Sequence, residues 1–332
     1  MITIKRAGLL TTVQDLGRYG FQKYGVITSG VMDPYAHRLA NLLVGNDEHM
    51  PTLEITMIGP TIQFHKNALI AICGGDLSPS INGNRVQSWR TVFVKKGSEL
   101  KFGPCKKGCR AYLAVAGGFS VPTVMNSKST YLRARIGGFK GRSLQADDEL
   151  LFGPPSILSM KISDELIKGD LHDFIEGKWS IPVKLIPIFK SNTPIRVIKA
   201  RQYHQFTKES QHSFYHKAFA VTPQSDRMGY RLSGPSLTLV KAEEMISEAV
   251  GFGTIQVPAD GNPIILLADR QTTGGYPKIG QVASVDLSLI AQAKPGDQLY
   301  FTELSHREAQ LLYLKKERQI QIVKHGIFEK YK

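Results

Sequence analysis

Short runs of β-branched and aromatic residues, separated by Gly, Pro and Asn, constrain the fold of this chain most strongly. Such runs lie at Thr91–Lys95, Ala111–Ala116 and Ile264–Ala268. They are strand-sized, and their residue types pack well on a pleated surface. Between runs of this kind stand Asn82-Gly83 and Asp260-Gly261, dipeptides that favour tight hairpin turns. The sequence therefore predicts a mainly β fold with two β-rich lobes and a few helices.

Helix signals are fewer but carry recognisable start and stop residues. Asp33-Pro34 predicts a helix start, because Asp can cap free N–H groups and Pro fits the first turn. Gly45 is suited to end that helix. Ser305 and Glu308 have capping-box spacing and predict a second helix, continuing through Leu314.

The length of 332 residues is typical of two domains or one large one. Between residues 155 and 195 the strand pattern stops, and Pro182, Pro187 and Pro194 follow a mixed polar stretch. We interpret this stretch as a connecting region. The predicted division is an N-terminal β-rich lobe at 1–154, a connection at 155–195 and a C-terminal lobe at 196–332.

The formal net charge is +14, and the excess is concentrated between Asn84 and Arg142, where thirteen Lys and Arg face one acid. A solvated basic surface, an anionic substrate, nucleic acid and an acidic protein partner would all explain it. Nucleic acid is the weakest alternative because no known nucleic-acid-binding signature is present. The three cysteines form no Cys-x-x-Cys pair, and no apolar run approaches the roughly 20 residues of a membrane helix. We therefore expect a cytoplasmic protein without metal, membrane or nucleic acid.

Three polar, Gly-rich segments stand out as candidate binding loops. They cover residues 11–33, 225–231 and 269–280. Glycines let backbone N–H groups approach an anion, Arg and Lys supply charge, and Asp can orient donors or move a proton. A turn whose charges satisfy the local backbone is the alternative for each. The sequence contains no Gly-x-x-x-x-Gly-Lys-Ser/Thr phosphate loop and no Gly-x-Gly-x-x-Gly fingerprint.

The candidate residues fall into two roles, both serving an anionic substrate or activated intermediate. The predicted catalytic residues are Asp226, Asp269 and Lys278. The predicted substrate-binding residues are Gln14, Asp15, Arg18, Arg227, Arg231, Thr273, Gly274 and Gly275. No metal ligands are predicted.

The same loops carry a family resemblance. Residues 11–18, 29–33, 225–232 and 271–280 are similar to motifs of the KipA family, also called allophanate hydrolase subunit 2. The likeness spans roughly residues 1–305. Members of this family include the C subunit of 5-oxoprolinase and the biotin-dependent carboxyltransferase portion of urea carboxylase.

The resemblance implies a cyclophilin-like β-barrel in the C-terminal part and a function shared between several chains. The expected partners are a KipI-like B subunit, in direct contact, and a LamB-like A subunit. Together they would convert 5-oxo-L-proline to L-glutamate with consumption of ATP, which binds either this chain or a partner. The chain alone would be inactive, and self-association stays open.

Two alternatives accompany this interpretation. One is the carboxyltransferase subunit of a biotin-dependent urea carboxylase, whose biotin carrier and carboxylase would have to be other chains. The other is a regulatory protein that binds and antagonises a KipI-like kinase inhibitor.

Overall fold

The chain divides into two units, each built around its own β structure. The computed structural model describes residues 1–168, 172–189, 193–241 and 245–332. The first unit comprises Met1–Arg18, Asp33–Pro187 and Arg318–Lys332, and the second comprises Tyr19–Met32 and Ile188–Glu317. Strand residues outnumber helical ones, at 31% against 22%, which confirms the mainly β prediction.

The first unit is a two-sheet structure with helices at its outer surface. Its strands are β1 (Ile2–Arg6), β2 (Leu10–Gln14), β3 (Thr52–Thr56), β4 (Thr61–Phe64), β5 (Ala68–Asp76), β6 (Ser80–Ile81), β7 (Asn84–Arg85), β8 (Arg90–Val94), β9 (Glu99–Lys101), β10 (Lys107–Val115), β11 (Glu149–Leu150) and β12 (Phe174–Ser180). Its helices include α1 (Pro34–Leu43) and α2 (Ile157–Ile167). One sheet has the order β11-β1-β4-β9-β6-β7, and the other has the order β12-β8-β5-β10-β3-β2.

Alternation along the strands explains where the core of the first unit lies. Ile70 of β5 and Leu113 of β10 join side chains of the other sheet, such as Ile62 and Phe64 of β4, in one buried apolar cluster. Residues of the opposite parity, such as Tyr112, are also buried, because α1 packs on the outer face of β5 and β10. The central strands are therefore covered on both faces.

The second unit is built around a nearly closed eight-stranded sheet. Its strands are β13 (Ile195–Lys199), β14 (Phe219–Val221), β15 (Gly229–Ser233), β16 (Glu248–Ala249), β17 (Thr254–Gln256), β18 (Ile264–Leu266), β19 (Thr273–Gly274), β20 (Lys278–Val282), β21 (Gln298–Leu299) and β22 (Phe301–Glu303). The helices are α3 (Lys208–His216), α4 (Leu287–Ala291) and α5 (His306–Lys330), whose last part belongs to the first unit. The sheet order is β21-β14-β15-β18-β17-β20-β13-β22, and β16 pairs with β19 separately.

The two end strands of this sheet are consecutive in the chain. β21 pairs antiparallel with β14, and β22 pairs parallel with β13. Only Tyr300 separates them, so one short segment connects both edges. The result is a barrel-like sheet around a buried core that includes Val197, Phe214 and Ile255.

The predicted helix starts and one hairpin are confirmed. The Oδ1 atom of Asp33 accepts a hydrogen bond from the Ala36 amide at 3.1 Å, and Pro34 opens α1. The Glu308 amide donates to Ser305 Oγ at 3.2 Å, while the Ser305 amide donates to Glu308 Oε2 at 2.9 Å. Asn82 and Gly83 have φ values of 48° and 85° and join β6 to β7.

The two units differ from the predicted lobes in three places. Residues 155–187, predicted to connect the lobes, belong to the first unit, because Ser156 caps α2 and β12 pairs with β8. Residues 19–32 belong to the second unit, and the C-terminal residues 318–332 belong to the first. Residues 169–171 and 190–192 of the predicted connection lie outside the described residues.

α5 is the longest helix in the described ranges, and it continues far beyond the predicted Leu314. Charged residues recur along it. Among the residues with described positions, no helix combines the length and apolar character needed to cross a membrane.

Candidate active site

A buried cluster in the second unit unites all three polar loops. The Nε and Nη2 atoms of Arg227 donate to the two carboxylate oxygens of Asp269 at 3.0 and 3.1 Å. Ser29 Oγ donates to Asp269 Oδ1 at 2.7 Å, and Arg227 Nη2 donates to the Gly30 carbonyl at 2.5 Å. Arg227 and Asp269 are each only 5% exposed. We call these four residues the Arg227 cluster.

The contacts of the Arg227 cluster are those of a structural brace, meaning a set of side chains that holds separate segments of the chain together. Arg227 holds the 29–30 segment and Asp269 together, and the Asp269 amide also donates to the Arg227 carbonyl at 2.9 Å. A buried pair of this kind is strongly destabilised when one partner is removed, because the other charge stays buried. The contacts therefore favour a structural role for both side chains over direct contact with a ligand.

Asp226 and Arg231 lie near this brace in sequence but are exposed. Asp226 Oδ1 accepts hydrogen bonds from the amides of Met228 at 2.8 Å and Gly229 at 3.3 Å, so it stabilises its own turn. Arg231 lies on β15, where its neighbours Tyr230 and Leu232 are buried. By alternation, Arg231 is on the solvent side of that strand.

Lys278 lies in a second polar cluster. Its Nζ is 2.9 Å from Glu248 Oε2 and donates to the Ala249 carbonyl at 3.1 Å. The other carboxylate oxygen of Glu248 is 3.2 Å from Arg201 Nη1. The hydrogen bond from Lys278, followed by its charge, lowers the pKa of Glu248 below its usual 4.5. The Lys278 side chain is 13% exposed and that of Glu248 32%, so this cluster is far more open than the brace.

Thr273 and Gly274 are placed beside Glu248 by a short strand pair. In the β16–β19 register, Glu248 lies opposite Gly274, and Ala249 lies opposite Thr273. A Cβ atom on Gly274 would stand 2.5 Å from the buried Gln256 Nε2, so a larger residue here requires the Gln256 side chain to move. Thr273, Gly274, Glu248 and Lys278 thus form one surface, here called the Lys278 cluster. A charged amine beside glycine backbone can bind a carboxylate or a phosphate-like group.

Gly275 continues the same loop without comparable crowding. A Cβ atom there would meet Ser247 Oγ at 3.4 Å, an ordinary contact distance. Gly275 is therefore replaceable on steric grounds, whereas a larger residue at Gly274 must displace Gln256.

The three candidates from the start of the chain lie in the first unit. Asp15 Oδ1 accepts from Ser127 Oγ at 2.7 Å and from the Gly17 amide at 2.9 Å, and Oδ2 accepts from the Lys128 amide at 2.5 Å. Ser129 Oγ also donates to Asp15 Oδ1 at 2.5 Å. Four such donors around a carboxylate that is 8% exposed indicate that Asp15 organises the 127–129 turn.

Gln14 and Arg18 hold the same region. Arg18 is fully buried and donates to the carbonyls of Val124 at 3.0 Å and Ser129 at 2.9 Å. Gln14 Nε2 donates to the Thr130 carbonyl at 3.1 Å. The structure thus groups Gln14, Asp15 and Arg18 around residues 124–130. Their predicted role in completing a substrate site with the loops of the second unit stays a prediction.

Sequence reasoning missed several residues of these networks. Glu248 has no local motif, and only the β16–β19 pairing reveals it. A second missed network is buried in the first unit, where Tyr112 Oη donates to Glu54 Oε2 at 2.9 Å and accepts from the Asp33 amide at 2.8 Å. Burial, followed by the charge of Glu54, raises the pKa of Tyr112 well above its usual value. An acidic residue inside the apolar strand Thr52–Thr56 was the available signal for this network.

Comparison with known proteins identifies the family. The carboxyltransferase domain family, subdomains A and B, matches residues 24–303. The chain is 36% identical to the C subunit of 5-oxoprolinase from Haemophilus influenzae, over 99% of this chain and 100% of that protein. It is 37% identical to the C subunit of 5-oxoprolinase from Escherichia coli, over 93% of each chain.

Larger proteins contain the same fold as one part. The chain is 33% identical to urea amidolyase of Saccharomyces cerevisiae, over 94% of this chain but 17% of that protein. The crystal structure of the K. lactis urea amidolyase superposes with a TM-score of 0.86 at 30% identity, covering 97% of this chain and 20% of that one. Family match and full-length relatives agree, and the chain belongs to the carboxyltransferase-domain family.

Proposed function

We propose that this chain is the C subunit of an ATP-dependent 5-oxoprolinase, which opens 5-oxo-L-proline to L-glutamate. The observation that carries the proposal is the end-to-end likeness to relatives named as this subunit, which covers 100% of the Haemophilus influenzae protein. The urea amidolyase of S. cerevisiae, in contrast, is matched over only 17% of its length.

The Lys278 cluster is the part of the second unit best suited to the chemistry. A lactam carbonyl is a poor electrophile, so its oxygen must be activated, for instance by phosphorylation from ATP, before water attacks. Both the activated group and the substrate carboxylate are anionic. A fixed ammonium beside backbone amides stabilises the charge that develops in such a transition state. In this proposal Lys278 binds the anionic group, and Thr273 and Gly274 contribute backbone.

The remaining components come from other chains in this proposal. In this proposal the chain is inactive alone. A KipI-like B subunit in direct contact and a LamB-like A subunit would complete a cytoplasmic hydrolase. ATP would be consumed by the assembled complex.

Reconstitution tests the proposal. The chain is purified alone and together with its B-type and A-type partners, and glutamate formation from 5-oxoproline is measured with and without ATP. We expect turnover only from the complete complex and only with ATP. Turnover by the single chain would contradict the proposed dependence on partner chains. No turnover by a fully assembled complex would contradict the proposed 5-oxoprolinase activity.

A carboxyltransferase is the second candidate function. The superposition on the K. lactis urea amidolyase at a TM-score of 0.86 favours it. Biotin would then be supplied on a carrier from another chain. Urea-dependent loss of the carboxyl group from carboxybiotin, measured in the same preparations, separates this activity from lactam opening. Tight binding of a KipI-like protein without either turnover would support the regulatory alternative.

A further inference from the structure

In the described part of the chain, Glu248 is the one carboxylate within ion-pair distance of the Lys278 ammonium. Its Oε2 lies 2.9 Å from Lys278 Nζ, and its Oε1 lies 3.2 Å from Arg201 Nη1. The two cations differ in freedom, because the Arg201 side chain is 81% exposed and that of Lys278 is 13% exposed. A mostly buried ammonium depends on its fixed partners far more than an exposed guanidinium does.

The partners of Lys278 come from one short strand. Besides Glu248, the ammonium donates to the Ala249 carbonyl at 3.1 Å, and both residues form β16. Lys278 itself begins β20 and lies opposite Gln256 of the barrel sheet. The contacts that fix the position of the ammonium therefore come from β16.

The same short strand also pairs with the glycine loop. β16 pairs with β19, so that Glu248 stands opposite Gly274 in the register. Glu248 thus lies opposite Gly274, whose backbone is proposed to approach the anion, and also contacts the Lys278 ammonium, which is proposed to bind it. The buried Gln202 is the last and smallest of the causes that lower the pKa of Glu248, after Lys278 and Arg201.

We propose that Glu248 is a positioning residue for Lys278: together with the Ala249 carbonyl, it holds the ammonium beside Thr273 and Gly274. The inference rests on the proposed role of Lys278 in binding an anionic substrate or intermediate. Glu248 acts through Lys278, so its removal changes the catalytic step without changing how the complex assembles.

Turnover of the assembled complex provides the first test. Glu248→Gln removes the charge and keeps a hydrogen-bond acceptor, whereas Glu248→Ala removes both. We expect kcat to fall about tenfold in the first and about a hundredfold in the second, with KM changing less, because the missing interaction acts mainly in the transition state. Combining Glu248→Ala with Lys278→Met should cost no more than Lys278→Met alone, since the two residues act as a unit.

The barrel offers a matched control. Lys199 and Glu303 form a pair of the same kind at 2.7 Å, outside the Lys278 cluster. Glu303→Gln therefore removes the carboxylate partner of Lys199 on β13, just as Glu248→Gln does for Lys278 on β20 of the same sheet. We expect its turnover to equal that of the wild type.

Chemical labelling provides a readout that does not depend on activity. An amine-acylating reagent reacts slowly with an amine that fixed partners hold, and Glu248→Gln weakens one of these partners because a charge-assisted hydrogen bond becomes a neutral one. In Glu248→Gln we expect the less restrained Lys278 amine to be acylated about three- to tenfold faster, as measured by mass spectrometry, with Lys199 unchanged. In Glu303→Gln the pattern should reverse.

The outcomes separate this inference from the proposed function. If Lys278→Met lowers kcat but Glu248→Ala does not, the positioning role is overturned and the role of Lys278 stands. If the Lys278→Met complex turns over normally, both the role of Lys278 in binding the anion and the positioning role of Glu248 are overturned. If the wild-type complex does not act on 5-oxoproline, labelling still decides the pairing, and an unchanged Lys278 rate in Glu248→Gln overturns it.

Discussion

Two cation–carboxylate pairs in the second unit differ in almost every physical respect. Arg227 and Asp269 are each 5% exposed and joined by two hydrogen bonds, whereas Glu248 keeps about a third of its side-chain surface in solvent. One member of each pair, Asp269 and Lys278, comes from the same polar loop at residues 269–280. Burial and the number of internal partners, rather than residue type, therefore distinguish a structural brace from a group that is able to exchange partners with a ligand.

The largest effect should come from breaking the brace. Arg227→Met leaves Asp269 buried with its charge unpaired, and we expect a loss of about 3–5 kcal/mol in the free energy of unfolding. Urea denaturation of the purified chain measures this loss. Asp269→Asn should be destabilising as well, and the double variant should lose less than the sum. Near wild-type stability together with lost turnover would mean that Arg227 contacts a ligand instead.

The more exposed pair, Lys278 and Glu248, should affect turnover strongly and stability little. Lys278→Met is expected to lower turnover of the assembled complex about a hundredfold, equal to about 2.7 kcal/mol of transition-state stabilisation. Stability should change little, because solvent reaches the Glu248 carboxylate that is left behind. Lys199→Met, which removes a lysine paired with Glu303, is the control and should retain activity. A large fall in melting temperature without a change in kcat would make Lys278 a second brace.

A steric test sharpens the comparison at the glycine loop. Gly274→Ala places a Cβ atom 2.5 Å from the Gln256 amide, which is buried and donates to the Tyr276 carbonyl at 3.3 Å. We expect a cost of about 1–3 kcal/mol, typical of overpacking. Gly275→Ala is the matched control and should be close to neutral. Equal unfolding midpoints for the two variants would contradict the close approach at Gly274.

The smallest effect concerns pH. Lys278 holds the pKa of Glu248 below 4.5, so the pair contributes stability above that pH and loses it as the pH falls through the lowered pKa. The expected contribution is small because the carboxylate is partly exposed. Glu248→Gln should therefore make the acid side of the stability profile slightly less steep, measured by urea denaturation between neutral and acidic pH. An unchanged profile would show that the pair does not contribute.

Local signals in the sequence were enough for part of the fold. The Asp33 cap, the Ser305–Glu308 box and the Asn82-Gly83 turn each depend on a few adjacent residues, and each is found as predicted. The predicted connection differs from the structure because β12 gains its order by pairing with β8, about eighty residues earlier. Pairing over that distance leaves no periodic pattern for the local sequence to show.

In the candidate site, too, the features with a local sequence signal were predictable and those that depend on distant residues were not. The three polar loops were evident because Gly, Asp, Arg and Thr cluster in them, and residues from all three meet at Asp269. Glu248 was not found because its importance depends on the register with Gly274. The role of Asp226 was also not readable, since an Asp that caps its own turn and one that moves protons have the same sequence context.

The segment Gln298–Glu303 joins both edges of the barrel-like sheet, pairing with β14 on one side and β13 on the other. It follows every other strand of that sheet in the chain. During synthesis, β13 and β14 therefore emerge from the ribosome long before the strand that covers them. Exposed strand edges are templates for wrong pairing, so a nascent chain of this protein is most prone to aggregation in the interval before residue 303 is available.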